Sequence, residues 1–380
     1  MTQQGTVQNR LVVLAAGGTG GHLFPAQALA EALVRRGYVI HLMTDERVRD
    51  YGRSFPALET HLIPAATISP SKPLLLPVQL LRLYKGYQTA RRVLEKLKPA
   101  ALAGFGGYPS FPPVIAASRL HIPSCIHDQN AVMGRANRAL SRYADAVASS
   151  FPVLGRLPEA SKNKLRYTGN PVRGIVLLKQ AQAYQTSAAD QPFNILVFGG
   201  SQGARFFAEF MPEVLKFLPK AVLRHLKIVQ QCRPEDIERV KAAYGALDVA
   251  FELASFFADM PQRFTDAQLI ICRSGASTIA ELGVIGRPAV MVPLSHALDN
   301  DQLHNAEFFA GKGGGWVMPQ AELIPQEFAA FLTRLRYQDD ELAGAARAAL
   351  ALGVPDAAER LADVVEELAA RGPTMETIKK

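Results

Sequence analysis

Several short stretches of this chain carry residues that could do chemistry. The first is Gly17-Gly18-Thr19-Gly20-Gly21-His22. An unperturbed imidazole titrates near neutral pH, so His22 is suited to moving a proton. The loop before it presents backbone N–H groups of Thr19, Gly20 and Gly21 to an anion, because glycines let a ligand approach without meeting Cβ atoms. The spacing is neither G-x-G-x-x-G nor G-x-x-x-x-G-K-[ST], which argues against a nicotinamide dinucleotide or a Walker-type phosphate site. The second stretch is His127-Asp128-Gln129-Asn130, a polar tetrad after an apolar run. Asp128 there is a second group able to take a proton. The third is Gly199-Gly200-Ser201-Gln202-Gly203-Ala204, where Ser201 and the loop amides can accept a phosphate. The fourth is Arg273-Ser274-Gly275-Ala276-Ser277-Thr278-Ile279-Ala280-Glu281. Glu281 falls one or two turns into the helix that this stretch opens. A carboxylate there can accept hydroxyl protons from a ligand, or it is simply a solvated helix carboxylate. Arg173 offers a guanidinium, which suits bidentate phosphate contact. Asp299-Asn300-Asp301 has the D-x-D form that can hold a divalent ion. The reading preferred here is a cap for the following helix, so no metal is expected.

These residues need elements to hold them. Leu11 to Ala16 is an apolar run too short for a helix and suited to a strand buried on both faces. Ala26 to Arg36 has helical apolar spacing, and Gly37 is a plausible stop. The same strand, glycine loop and helix recur at Phe193–Phe198 and the residues after it, a stronger signal than either loop alone. Further strands are expected near 38–43, 56–63, 100–103, 122–126, 144–149, 227–230, 250–253, 269–272 and 288–293. A helix is expected over about 78–98. Strands alternating with helices predict an α/β fold: parallel sheets with helices on both faces, in two domains. Residues 181–192 are small and polar and read as the linker. This gives a first domain over 1–180 and a second over 193–354. Two such domains would present their strand ends to a central cleft, where ligand sites concentrate.

The bulk properties fit. At 380 residues the chain is long enough for two or three domains, and 48% hydrophobic with 20% charged residues is ordinary for a globular protein. The net charge of +8 favours an acidic partner. The basic residues gather near leucines rather than with exposed aromatics, which speaks for an anionic membrane surface and against nucleic acid. The three cysteines are widely spaced in apolar segments and read as reduced packing residues. The first ten residues carry no signal-peptide core, and no apolar stretch approaches the roughly 18 to 20 residues of a membrane span. Any membrane contact is therefore expected to be peripheral. Its candidate is Ser69–Pro77 with the helix after it. Its three prolines exclude regular structure, while Leu74, Leu75, Leu76, Leu80, Leu81 and Leu83 interleave with Lys72, Arg82 and Lys85. A core-facing helix with a basic outer face is the competing reading.

Taken together, these motifs resemble the MurG family of bacterial cell-wall glycosyltransferases. The resemblance is carried by 17–22, 106–110, 127–130, Gly169-Asn170-Pro171-Val172-Arg173, 199–204, 273–281 and Gln302-x-x-Asn305-Ala306, in the family's order across about residues 10–350. It implies a GT-B fold of two Rossmann-like domains, with a last helix over about 355–380 rejoining the first. It implies inverting transfer of N-acetylglucosamine from UDP-N-acetylglucosamine to the muramyl sugar of a polyprenyl-pyrophosphate-linked muramyl-pentapeptide, without a cofactor. The place implied is the cytoplasmic face of the bacterial inner membrane. The donor belongs to the second domain and the lipid acceptor to the first. The resemblance implies substrate contacts for Thr19, Gly20, Gly21, Asn130, Arg173, Ser201, Phe257, residues 276–281 and Gln302, with Phe257 offering its backbone amide to uracil. His22 is the first choice for the base and Asp128 the second, while a phosphate-binding or orienting role for His22 stays open. The family usually has His-Glu-Gln-Asn where this chain has His127-Asp128-Gln129-Asn130, so the carboxylate sits one methylene shorter. The segment after His296 is one residue longer than in some relatives. The same fold also suits a sugar-nucleotide epimerase or another glycolipid transferase. A non-catalytic nucleotide-sugar-binding membrane recruiter is the reading from a different class.

Overall fold

The computed structural model describes residues 10–17, 19–46, 55–66, 73–180, 182–188, 190–294 and 299–371. The chain forms two compact units, Met1–Arg173 with Pro355–Lys380, and Gly174–Val354.

The first unit is built on seven parallel strands: β1 (Leu11–Ala15), β2 (Val39–Thr44), β3 (Glu59–Leu62), β4 (Ala101–Gly104), β5 (Ser124–Asp128), β6 (Ala146–Ser149) and β7 (Leu165–Tyr167). Their spatial order is β3-β2-β1-β4-β5-β6-β7. Among the helices that accompany them are α1 (Gly20–Arg35), α2 (Leu76–Leu97), α3 (Phe111–Arg119) and α4 (Arg135–Leu140). The unbroken apolar run of β1 has a direct cause. Val12 and Leu14 pack into one core layer, with Leu29 and Leu33 of α1, while Val13 and Ala15 pack into the other, with Leu94 of α2 and Val114 of α3.

α1 begins at Gly20, six residues before the apolar spacing predicts. Thr19 is its N-cap in extended geometry, φ −112° and ψ 149°, so His22 stands in the first turn. Near the second glycine cluster, Gly106 and Gly107 take φ of +81° and +71°, a left-handed region that side-chain-bearing residues avoid. Of the proline-rich segment, Ser69–Lys72 lies outside the described residues. Pro73–Leu75 forms a single tight helical turn leading into α2, with Pro77 in the first turn, where a missing N–H does no harm.

The second unit is a six-stranded parallel sheet of β8 (Phe193–Phe198), β9 (Leu226–Gln231), β10 (Ala250–Ala254), β11 (Leu269–Cys272), β12 (Ala289–Met291) and β13 (Gly315–Val317), in the order β10-β9-β8-β11-β12-β13. Its helices are α5 (Gly174–Leu177), α6 (Gly200–Leu215), α7 (Lys220–Leu223), α8 (Ile237–Gly245), α9 (Met260–Asp266), α10 (Ala276–Ile285), α11 (Asp301–Gly311), α12 (Pro325–Arg336) and α13 (Asp339–Ala351). The segment read as a linker is fastened to this unit. Buried Arg336 donates to the carbonyls of Ser187, Ala188 and Gln191 at 2.7, 2.7 and 2.9 Å, and the Tyr184 hydroxyl donates to Gln268 O at 2.9 Å. Small polar side chains let the backbone lie against a guanidinium here, which sequence composition reads as slackness.

The last helix, α14 (Ala357–Arg371), packs on α1 in the first unit through Leu361, Val365 and Leu368. Arg36 holds it with bonds of 2.6, 2.8 and 2.5 Å to Glu359, Asp363 and Glu366.

Candidate functional site

In the first unit the polar motifs meet at the carboxyl ends of the strands. His22 packs between two glycines. A Cβ built on Gly17 would lie 3.3 Å from its Nδ1, and one on Gly107 3.4 Å from its Cε1. The Thr19 hydroxyl lies 2.9 Å from the same Nδ1. Thr19 makes no capping bond to the helix backbone, so its side chain serves the imidazole instead. The Ser110 hydroxyl reaches both Ala15 O and Gly106 O, at 2.7 and 2.6 Å, and so holds the second glycine loop against the end of β1. Arg173 lies over the Phe24 ring at 4.3 Å, which sets its guanidinium beside the first turn of α1.

Asp128 is 2% exposed. Its Oδ1 accepts the Asn130 N–H at 3.2 Å, and its Oδ2 accepts the Gly134 N–H at 3.0 Å and Asn137 Nδ2 at 2.9 Å. A carboxylate engaged in this way shapes the 130–134 loop. Asn130 is half-buried in that loop. His127 is fully buried, donates from Nε2 to Gly169 O at 3.1 Å and accepts from Gln129 Nε2 at Nδ1, also at 3.1 Å. Burial pushes its pKa down to about 4, and the Gly169 carbonyl opposes part of that shift. Gln129 also donates to Phe105 O at 3.0 Å, so the tetrad is tied to the second glycine loop. Beside this loop a cavity of about 350 Å³ opens at the ends of β2 and β3, lined by Asp45, Arg82, Tyr108 and Pro109 among others.

In the second unit, two helix N-termini stand at strand ends. α6 follows β8 with Gly199 as N-cap, placing Ser201 in its first turn. α10 follows β11 with Gly275 as N-cap. The side chains of Ala276 and Ile279 are buried, so the first-turn N–H groups are what this stretch offers a ligand. Ser277, Thr278, Ala280 and Glu281 are half-buried, and Glu281 lies one turn on from Ser277 and Thr278 along the same face. Gln302 is gathered to this turn. Its carbonyl accepts the Ser274 hydroxyl at 2.7 Å, and its Oε1 accepts the Leu294 N–H at 3.1 Å. Asn305 closes the loop by donating to Ser274 O at 3.1 Å. Phe257 is buried under the Arg263 guanidinium, 4.1 Å away.

Sequence reasoning gave Arg273 no task. It is buried, bonds the Val292 and Pro293 carbonyls at 2.9 and 3.2 Å and Gln320 Oε1 at 2.7 Å, and burial lowers its pKa to about 10. It fixes the loop leading towards Gln302. An arginine directly after a buried strand was the available signal. The D-x-D reading changes in detail. Asn300, not a carboxylate, is the N-cap of α11; it sits at φ +51° without a side-chain cap, and Asp301 follows in the first turn.

Among the described residues one group has metal-ligand atoms near one another: His41, Glu59 and His61. His41 Nδ1 and His61 Nε2 are 2.9 Å apart with ring centroids at 5.2 Å, so the rings meet nearly head on. Two nitrogens on one tetrahedral ion stand roughly 3.3 Å apart with their rings splayed. A hydrogen bond between the two rings accounts for that spacing.

Two parallel α/β units, each opening on a strand, a glycine loop and a helix and each collecting polar residues at its strand ends, define a GT-B fold. The chain belongs to glycosyltransferase family 28: residues 12–149 match the Glycosyltransferase family 28 N-terminal domain and residues 194–361 the Glycosyltransferase family 28 C-terminal domain. It is 47% identical over 373 residues to a Rhizobium etli protein named UDP-N-acetylglucosamine–N-acetylmuramyl-(pentapeptide) pyrophosphoryl-undecaprenol N-acetylglucosamine transferase, covering 97% of this chain and 98% of the relative. A Rhizobium meliloti protein of the same name is 48% identical over 370 residues, again covering 97% and 98%. Among solved structures, Acinetobacter baumannii MurG superposes with a TM-score of 0.76 at 31% identity, covering 94% of this chain and 99% of that one. A UDP-GlcNAc 2-epimerase from Neisseria meningitidis reaches 0.63 at 15% identity over 95% and 99%, which shows the fold alone.

Proposed function

We propose that this chain is an inverting glycosyltransferase that moves N-acetylglucosamine from UDP-N-acetylglucosamine to the muramyl sugar of a polyprenyl-diphosphate-linked muramyl-pentapeptide. The observation that carries the reading is near-half identity, over nearly the whole of both chains, to relatives whose name states that reaction. The donor belongs to the second unit. The N-termini of α6, with Ser201, and α10 take the diphosphate, Glu281 the ribose, the Phe257 backbone the uracil and Gln302 the sugar. Arg173 adds charge against the leaving diphosphate. The acceptor belongs to the first unit, at the backbone amides of Thr19, Gly20 and Gly21 and at Asn130. His22 takes the proton of the attacking hydroxyl, and Asp128 positions the loop that bears Asn130.

The enzyme works at the cytoplasmic face of the inner membrane. Supporting this, the turn before α2 and the start of that helix leave Leu74 92%, Val78 65% and Leu81 54% exposed, beside exposed Arg82 and Lys85. No helix among the described residues is long and apolar enough to cross a membrane. The test is incubation with labelled UDP-N-acetylglucosamine and a short-chain lipid acceptor, without added metal. Label moving to the lipid supports the proposal. Donor epimerised without acceptor, or left intact with it, overturns it.

A further inference from the structure

Thr19 and His22 form an unusual helix start. An N-cap threonine ordinarily spends its side-chain oxygen on a backbone N–H of the first turn. Here Thr19 makes no such bond, and its Oγ1 lies 2.9 Å from His22 Nδ1. Gly17 and Gly107 pack close against the ring at Nδ1 and Cε1, where any side chain would crowd it. The ring is therefore held with one nitrogen committed to a hydroxyl.

We infer that Thr19 is a positioning residue that accepts the Nδ1–H of His22 and so makes Nε2 the basic nitrogen. This rests on the reading of His22 as the base. A neutral imidazole carries one proton on two nitrogens, and the partner of one decides the character of the other. With Nδ1–H bonded to Thr19, the acceptor hydroxyl transfers its proton to Nε2. Its oxygen forms the new bond to the anomeric carbon, the bond from that carbon to the diphosphate oxygen breaks, and the electron pair leaves with UDP. The imidazolium that results keeps Nδ1–H on the threonine oxygen and later returns the Nε2 proton to water. If the hydroxyl donated instead, Nε2 would carry the proton and could not accept one.

Nitrogen NMR of histidine-labelled enzyme reads the tautomer directly, and a Thr19→Val variant removes the oxygen at nearly constant volume. The wild type is expected to show His22 as the Nδ1–H tautomer above its titration, and Thr19→Val to shift the balance towards Nε2–H. Thr19→Val should lower kcat by about tenfold or more and move the acidic limb of the kcat profile, with Thr19→Ser restoring most of both. An Nε2–H tautomer in the wild type overturns the inference. So does a Thr19→Val variant altered in KM alone, which would make Thr19 a binding residue. His22→Ala with unchanged kcat would overturn the reading of His22 as base, while the tautomer measurement still stands on its own.

Discussion

The buried imidazole of His127 donates from Nε2 to the carbonyl of Gly169 at 3.1 Å, and this one bond ties the end of β5 to the turn that carries Arg173. Gly169 sits at φ +78°, so its carbonyl direction depends on a backbone shape that other residues resist.

This bond predicts a pH dependence. Burial holds folded His127 at about 4, while in the unfolded chain it titrates near about 6.5. The folded state therefore binds fewer protons than the unfolded state between those values. Stability from this group is fully present above about pH 6.5 and is lost as pH falls towards 4, to a total of about 3 kcal/mol. Urea unfolding at several pH values should show that slope, and His127→Gln should flatten it. Equal slopes in both proteins would mean that His127 is solvated or charged in the fold.

Asp128 separates a positioning role from a catalytic one. Asparagine has one acceptor oxygen where the carboxylate has two, and three N–H groups depend on them. Asp128→Asn is expected to destabilise the first unit by about 1–3 kcal/mol and to lower activity, while UDP affinity stays. Full stability with loss of the acidic limb of the kcat profile would instead return Asp128 to the role of base.

Glu281 carries the ribose assignment. Glu281→Ala should weaken UDP binding by about 1–3 kcal/mol, the scale of charge-assisted hydrogen bonds lost from a site. Calorimetry on the folded variant decides it, and an unchanged dissociation constant would make Glu281 a surface carboxylate.

How much was legible in the sequence varied with the physics of each element. β8 and β11 have the bounds their apolar runs predict, because strands buried on both faces leave no ambiguity. β7 (Leu-Arg-Tyr) and β13 (Gly-Trp-Val) went unread, since three-residue edge strands carry no pattern. The early start of α1 was hidden because its first turn, Gly-Gly-His-Leu, is set by the Thr19 cap and not by apolar spacing. At the site, residue types pointed to His22 and to both glycine loops. They did not rank His22 against Asp128 as the base, because both side chains can take a proton, and they gave no sign that Asp128 is buried with three N–H donors on it. The fastening of Ser187, Ala188 and Gln191 by Arg336 was equally invisible, joining residues about 150 apart by backbone carbonyls.

The last prediction concerns the start of α2. Helical residues that expose Leu74, Val78, Leu80, Leu81 and Tyr84 leave an apolar face uncovered in the first unit, with Arg82 and Lys85 exposed among them. A core-facing helix would bury these leucines; here burial on α2 falls to Gly86, Ala90 and Leu94 further along. Apolar side chains entering a bilayer interface and cations meeting anionic head groups, at about 1 kcal/mol each, make a peripheral anchor. Lys72, the third cation of the sequence reading, lies outside the described residues. Leu74→Ser with Leu81→Ser, Arg82→Glu and Lys85→Glu should reduce sedimentation with anionic vesicles by tenfold or more, since two charge reversals alone remove roughly 2 kcal/mol of attraction. Activity on a membrane-held acceptor should fall with it, while UDP affinity remains. Because Arg82 also lines the cavity beside Tyr108, Leu74→Ser with Leu81→Ser alone serves as the control that leaves the cavity intact. Vesicle binding unchanged in both variants would place the membrane contact elsewhere, with Arg135, Arg138 and Arg142 on and just after α4 the next residues to reverse.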